Sequence, residues 1–129
     1  ARETCATYVP EKPTDAPGQS NFGGTVLIDA EQGRGALRAL DIHTGNLVWE
    51  FSYPSPTFGG VLSTASGLVF AGDHEGNFMA FSADDGNNLW HYQTGSRIWG
   101  AAAMTFMLEN RQLVLIPSGT TLTAFALPE

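Results

Sequence analysis

Short apolar runs alternate with turn residues along most of this chain. From residue 25 onward the runs are too short for helices, are rich in Val, Phe and Trp, and are bounded by Gly, Asn, Asp and Pro. This pattern is typical of β-strands joined by tight turns. We predict strands at 25–28, 36–40, 47–51, 61–64, 68–71, 78–81, 88–92, 101–107, 113–116 and 122–126, with turns at Asn110 and at 117–119.

Residues 1–24 have a different pattern. Pro10, Pro13 and Pro17 are closely spaced, and Gly18, Gly23 and Gly24 follow them. Proline and glycine at this density favour an extended arm or a long loop. We therefore divide the chain into an arm at 1–24 and a folded region at 25–129.

An internal repeat is the most informative feature of the folded region. Residues 39–51 align with residues 80–92 at a constant offset of 41 without a gap. A third copy begins at 122–125 and is not completed. Four positions are identical in the two full copies: Ala39 and Ala80, Gly45 and Gly86, Asn46 and Asn87, Trp49 and Trp90.

A period of about forty residues that holds about four short strands is typical of one blade of a β-propeller. The residues of the repeat suit that fold, since glycine at 45 and 86 can take the positive φ of a tight turn and each tryptophan can fill the space between blades. The fold class predicted is all-β: a partial β-propeller of about two to three four-stranded antiparallel blades with tryptophan-docking motifs. The last blade is expected to be incomplete.

Composition and motifs exclude several functions. The 13 acidic and 6 basic residues give a net charge of −7, and the basic residues are scattered, which disfavours nucleic-acid binding. The single cysteine, Cys5, allows neither an internal disulfide nor a cysteine-rich zinc site, and no apolar run is long enough to span a bilayer. The motifs of serine hydrolases, P-loop proteins and dinucleotide-binding enzymes are absent from the sequence.

The remaining polar residues have structural explanations. His43, His74 and His91 are far apart in sequence, as expected of surface or turn histidines rather than metal ligands. The acidic stretches 73–77 and 84–87 lack the spaced carboxylates of a calcium-binding EF-hand loop, so we interpret them as hairpin turns.

Residues 39–49 resemble the blade signature Ala-x-Asp-x-x-Thr-Gly-x-x-x-Trp of dehydrogenases that depend on pyrroloquinoline quinone (PQQ). Every fixed position is matched, by Ala39, Asp41, Thr44, Gly45 and Trp49. The second copy departs from the signature, with Ser82 in place of the Asp and Asp85 in place of the Thr. The stretches 60–73, 89–96 and 121–128 are also similar, so that the resemblance covers about 20–127 and identifies a C-terminal fragment of the family.

The resemblance implies an eight-bladed propeller that holds PQQ and Ca²⁺ or a similar metal. The catalytic Asp and the metal-binding Glu and Asn of the family belong to earlier blades, so we expect no catalytic or metal-binding residue here. In relatives an aromatic residue precedes the strand equivalent to 60–64 at the cofactor, which makes Phe58 and Gly59 cofactor-binding candidates, although Phe58 could instead be a loop aromatic packed on its own blade. Ser118 and Gly119 are candidates on weaker similarity.

The function implied by the resemblance is oxidation of alcohols or sugars in the periplasm, or in a secreted protein, with electrons passed to an acceptor protein. This chain would supply blade structure and one wall of the cofactor pocket, and it would be inactive alone. A non-enzymatic propeller scaffold or binding module is the alternative, because the same repeat serves both. In either case uncovered strand edges are expected to contact the remaining propeller or other copies of the chain.

The repeat predicts that both tryptophans are structural. Trp49→Ala and Trp90→Ala should each lower the free energy of unfolding by about 3–5 kcal/mol, because a large apolar side chain between blades would be lost. Urea unfolding of the two variants measures this loss. Values near zero for both would contradict the interpretation of the repeat.

Overall fold

The computed structural model describes residues 2–12 and 23–127, which form ten strands and no helix. Part of the predicted arm, including Pro13 and Pro17, lies outside the described residues. The strands are β1 Arg2–Pro10, β2 Gly24–Leu40, β3 Leu47–Tyr53, β4 Val61–Ser63, β5 Leu68–Gly72, β6 Asn77–Ser82, β7 Asn88–Gln93, β8 Met104–Leu108, β9 Arg111–Ser118 and β10 Thr121–Ala126.

Three antiparallel sheets follow one another along the chain. Their strand orders are β1-β2-β3, β4-β5-β6-β7 and β10-β9-β8. The middle sheet has the four strands of a complete blade, and the flanking sheets have three each among the described residues. The all-β partial propeller predicted from the repeat is confirmed.

Some predicted boundaries were wrong. The runs at 25–28 and 36–40 belong to one long strand, β2, which pairs with β1 over its first part and with β3 over its last. Residues 101–103 lie in the connection before β8 rather than in a strand. Pro117 and Ser118 end β9 instead of forming a turn. Proline is tolerated there because β9 pairs with β8 only as far as Leu115.

The arm contributes a strand that the apolar pattern did not show. Residues 2–10 form β1, which pairs antiparallel with the first part of β2. Its register shifts between Glu3 and Cys5. Residues 6–10 are all exposed, which explains why the strand was missed, since no buried face imposes an alternating pattern on that part of it.

Strand β6 connects the two cores of the molecule. Its side chains alternate between the two faces of the middle sheet, as in any strand, but here both faces are covered. Met79 and Phe81 pack towards the first sheet with Leu37 and Tyr53. Phe78 packs on the other side with Ile98 and residues of the third sheet. Apolar contact between sheets, rather than backbone pairing, therefore holds the three sheets together.

Trp49 lies at the first of these interfaces. Its indole Nε1 donates a 2.8 Å hydrogen bond to the carbonyl oxygen of Ala83, in the turn of the next sheet. The ring also covers Gly86, where an added Cβ would lie 2.6 Å from Trp49 Cδ2. Trp49 thus occupies the position between sheets that the repeat predicts.

Trp90 is covered only in part. Its ring contacts Phe125 at 5.1 Å between centroids and Phe78 at 6.1 Å, but the residue remains 39% exposed. No turn of the described residues covers it as the turn at Ala83–Gly86 covers Trp49. The expected loss of 3–5 kcal/mol therefore applies to Trp49. A loss of about 1–3 kcal/mol is expected for Trp90, since partial burial stabilises less.

The two repeat turns have the same backbone hydrogen bonds, but the positions of their hydroxyl and carboxylate side chains are swapped. Asp41 and Ser82 each accept at their carbonyl from the glycine four positions on, at 2.8 and 3.0 Å. In the first turn the Thr44 hydroxyl donates to the Asp41 carboxylate at 2.8 Å, and this bond lowers the pKa of Asp41. In the second turn hydroxyl and carboxylate change places, and a hydrogen bond from Ser82 lowers the pKa of Asp85. The departure from the family signature therefore preserves the interaction.

Gly45 and Gly86 form a matched pair for measuring the contact with Trp49. Both have φ of 72°, but a Cβ at Gly45 would meet nothing within 4 Å. Gly45→Ala should cost only the strain of a left-handed residue, about 1–2 kcal/mol. Gly86→Ala should cost a further ~1–3 kcal/mol, because it displaces the Trp49 ring.

Urea unfolding of both variants, alone and in the Trp49→Ala background, tests this difference. In that background Gly86→Ala should cost no more than Gly45→Ala. Equal losses in the background that keeps Trp49 would contradict the packing described.

Candidate functional site

The connections between sheets and one set of hairpin turns meet on one face of the molecule. We define this loop face as residues 54–60, 73–76, 94–103 and 117–120. Backbone bonds join its parts, with Ile98 N donating to Asp73 O at 3.2 Å and Gly119 N to Arg97 O at 3.3 Å. Gly60 N donates to Ala101 O at 2.8 Å. The loop face therefore unites segments of all three sheets.

Asp73 holds the turn between β5 and β6. It is 3% exposed, and its two carboxylate oxygens accept bonds from Asn77, from the backbone N at 2.7 Å and from Nδ2 at 2.8 Å. Its carbonyl oxygen accepts from Ile98 N, so the turn and the β7–β8 connection are fixed to each other. The acidic stretch 73–77 thus acts as a structured turn, as predicted.

Trp99 is the centre of an aromatic cluster on the loop face. The Phe58 ring lies 4.1 Å from it between centroids at an interplanar angle of 35°, and His74 meets its edge at 5.0 Å. The guanidinium carbon of Arg97 lies 5.5 Å from the ring centroid, within cation–π distance. Trp99 itself is still 48% exposed, so about half of this residue remains accessible to solvent.

Two cavities flank this cluster. One, of about 310 Å³, is lined by Arg97, Trp99, Ala101, Pro117 and Gly119. The other, of about 300 Å³, lies between the first and middle sheets and is lined by Ala36, Leu37, Tyr53, Thr57, Phe58, Gly59, Val61, Ala71 and Gly72.

Three of the four predicted cofactor-binding residues line these cavities. Phe58 and Gly59 line the one between the first two sheets, and Gly119 lines the one beside Arg97. Ser118 is 2% exposed, and its Oγ has no hydrogen-bond partner among the described residues. Trp99 links Phe58 to Gly119, because it contacts Phe58 and lines the same cavity as Gly119.

Tyr53 gives the cavity beside Phe58 a buried phenol. Burial raises the pKa of Tyr53, and the nearby Asp73 carboxylate raises it further. The phenol is therefore neutral at any physiological pH. In this cavity it is a hydrogen-bonding group and not a source of charge.

Three residues of the cluster were not chosen as candidates from the sequence. Arg97 and Trp99 fit a groove and a blade edge equally well, and His74 was interpreted as a turn histidine. In the structure His74 is half-buried, and its Nδ1 is buried without a hydrogen-bond partner among the described residues. The sequence feature that could have identified them is an Arg and a Trp close together in a connection bounded by glycines between two strands.

Comparison with known proteins identifies the architecture. A profile of the family described as outer membrane protein assembly factor BamB matches residues 10–127. The quinoprotein alcohol dehydrogenase PedH of Pseudomonas putida is 41% identical over 85 residues, which cover 66% of this chain and 14% of PedH. The chain belongs to the quinoprotein alcohol dehydrogenase family of β-propellers.

Solved structures of this quinoprotein family have the same arrangement of sheets. The quinohemoprotein alcohol dehydrogenase ADHIIG of Pseudomonas putida superposes with a TM-score of 0.71 at 29% identity, over 91% of this chain and 19% of that one. A europium-containing methanol dehydrogenase gives a TM-score of 0.71 at 30% identity, over 92% and 21%. This chain therefore spans only about a seventh to a fifth of these quinoproteins.

The loop face fits part of the cofactor of such quinoproteins. PQQ is a planar quinone with three carboxylates, and Trp99 with Phe58 offers a flat apolar surface next to the cation of Arg97. Within 2–12 and 23–127, no three His, Cys, Asp or Glu side chains gather as a metal site would require. Over the same residues, no helix is long and apolar enough to cross a bilayer.

The stability of the loop face should depend on the hydrogen bonds of Asp73. Asp73→Ala should lower the free energy of unfolding by about 1–2 kcal/mol, because the half-buried backbone and side-chain amide groups of Asn77 lose their acceptors. Asp84→Ala, at an exposed position of the β6–β7 turn, should change it by less than ~0.5 kcal/mol. Urea unfolding of the pair measures the difference, and similar losses would show that the Asp73 bonds do not stabilise the turn.

Proposed function

We propose that this chain forms the C-terminal blades of a quinoprotein dehydrogenase that oxidises alcohols or sugars with PQQ and a divalent metal. Its loop face would supply one wall of the cofactor pocket, through Phe58, Gly59, Ser118 and Gly119. The observation that carries the proposal is the Phe58–Trp99 pair, a flat aromatic surface at the junction of the sheets in a chain related to quinoprotein alcohol dehydrogenases.

The residues of the wall have simple roles in this proposal. PQQ, when bound, supplies the chemistry by accepting the electrons of the alcohol. Phe58 would provide apolar area against its ring and keep water from that side. Gly59 would allow close approach of the backbone, since an added Cβ there would already lie 3.0 Å from Gly72 O. The unpartnered Ser118 Oγ would gain a polar partner.

The metal, catalytic residues and electron acceptor would belong to the rest of the protein. Ca²⁺ or a similar ion is proposed from the family, in which the methanol dehydrogenase named above contains europium. An acceptor protein for the electrons and a periplasmic or secreted location are proposed on the same basis. The exposed edge strand β7 and the exposed side chains of β10 would contact remaining blades or other copies of the chain.

A non-enzymatic scaffold is the second candidate function. The family profile that matches residues 10–127 is described as an outer membrane protein assembly factor, so the same repeat occurs in proteins of another role. The two functions make different demands on the loop face. Only the dehydrogenase requires an aromatic surface that binds a quinone.

Substitution of Phe58 tests the proposed function in the full-length polypeptide reconstituted with PQQ and Ca²⁺. Phe58→Ala should weaken PQQ binding about tenfold, because stacking area is lost, whereas Phe58→Trp should retain it. Phe106→Ala, at an exposed position of β8, is the control and should bind like the unmodified protein. Calorimetric titration measures affinity, and reduction of an artificial dye with ethanol measures activity.

Two outcomes would contradict the proposal. Unchanged PQQ affinity in Phe58→Ala would remove Phe58 from the cofactor wall. Absence of PQQ-dependent dye reduction with any alcohol or sugar would favour the scaffold.

A further inference from the structure

Arg97 is a cation without a carboxylate partner on the loop face. The chain has 6 basic and 13 acidic residues. Among the described residues, Arg38 pairs with Glu50, whereas Arg97 is exposed and makes no ion pair. Because acidic residues outnumber basic ones, an exposed arginine in this chain has many carboxylates with which it could pair. Arg97 pairs with none of them among the described residues and instead lies over the Trp99 ring, so its guanidinium remains available to a ligand.

The acidic groups of the loop face are already engaged. Both oxygens of the buried Asp73 carboxylate accept bonds from Asn77. Glu75 Oε1 accepts a 2.6 Å bond from the Ser55 hydroxyl. These carboxylates therefore reduce the positive electrostatic potential around the guanidinium, but neither of them forms an ion pair with it.

The backbone fixes the cavity beside Arg97. Gly119 N donates to Arg97 O, which joins the β9–β10 turn to the β7–β8 connection. Gly119 has φ of 55°, and an added Cβ would overlap the Ser96 side chain, so this wall is formed by backbone alone. The cavity of about 310 Å³ is large enough for a ring with a carboxylate group.

Two polar atoms without hydrogen-bond partners in the described part of the chain belong to residues that neighbour the lining of this cavity, although neither residue lines it. Ser118, whose Oγ lacks a partner among the described residues, stands between the lining residues Pro117 and Gly119. His74, whose Nδ1 also lacks one, contacts the edge of Trp99. Buried polar atoms without partners are rare in folded proteins and mark places where a ligand or water is bound.

We propose that Arg97 and Trp99 are ligand-binding residues: the Trp99 ring stacks on a planar aromatic ring, and the Arg97 guanidinium pairs with a carboxylate on that ring. The ligand class is a planar aromatic carboxylate, of which PQQ is the member named by the proposed function. We rest the choice of PQQ, though not the class, on that function. A guanidinium is suited to this task because it pairs with both carboxylate oxygens.

Calorimetric titration of the full-length polypeptide with three probes tests the assignment. The probes are PQQ, naphthalene-2,6-dicarboxylate and 9,10-phenanthrenequinone, the last being planar but uncharged. Arg97→Met should weaken binding of PQQ and the dicarboxylate about tenfold and leave binding of phenanthrenequinone unchanged. Arg97→Lys should recover part of the loss, and Trp99→Leu should weaken all three.

Arg111→Met is the matched control, since it removes the same charge at the start of β9, away from the loop face. It should bind all probes like the unmodified protein. Circular dichroism and thermal unfolding of each variant identify a loss of binding that comes from a loss of folding. Trp99→Phe provides a conservative change if Trp99→Leu does not fold, and it should retain most of the binding.

The outcomes separate this inference from the proposed function. Binding of PQQ that is unaffected by Arg97→Met and by both Trp99 variants overturns the inference and leaves the function standing. Binding of the dicarboxylate that depends on Arg97, without binding of PQQ, supports the inference and overturns the function. Binding of no probe overturns both.

Discussion

Contact between neighbouring sheets is the constraint on which this structure depends. Strand pairing stays within each sheet, so the contact between the three sheets comes mainly from the apolar side chains between them. Strand β6 supplies both interfaces, with Met79 and Phe81 on one side and Phe78 on the other. Trp49 closes the first interface and adds a directional bond to Ala83, which fixes how the two sheets meet.

The loop face follows from this packing. Each connection between sheets links the last strand of one sheet to the first strand of the next, and these connections lie beside the hairpin turns of the loop face. The buried Asp73 carboxylate and the backbone bonds of Ile98 and Gly119 hold these segments together. An aromatic cluster around Trp99 can then form from residues that are distant in sequence. The site is a consequence of blade packing rather than of any single motif.

The repeat explains why so much of the fold could be predicted from residues alone. A turn with glycine at positive φ and a tryptophan four positions later appears twice with the same spacing, and the structure gives both turns the same backbone bonds. The exchange of hydroxyl and carboxylate between Thr44–Asp41 and Ser82–Asp85 shows that the interaction, not the residue order, defines the turn. Strand β1 and the continuity of β2 across residues 29–35 were missed, because neither segment has an alternating apolar pattern.

The sequence by itself determined the strands of the repeat, the all-β class and the family, because each depends on local periodicity and short-range turn chemistry. It also placed Phe58 beside a glycine-rich connection. Only the tertiary structure decided that Phe58 stacks on Trp99, that Arg97 lies over the same ring and that Trp49 is covered more fully than Trp90. The contact of Phe58 with Trp99 and the cover of Trp49 join segments that are distant in sequence, and the position of Arg97 over Trp99 depends on how their shared connection folds. The spacing of residues along the chain does not encode this packing.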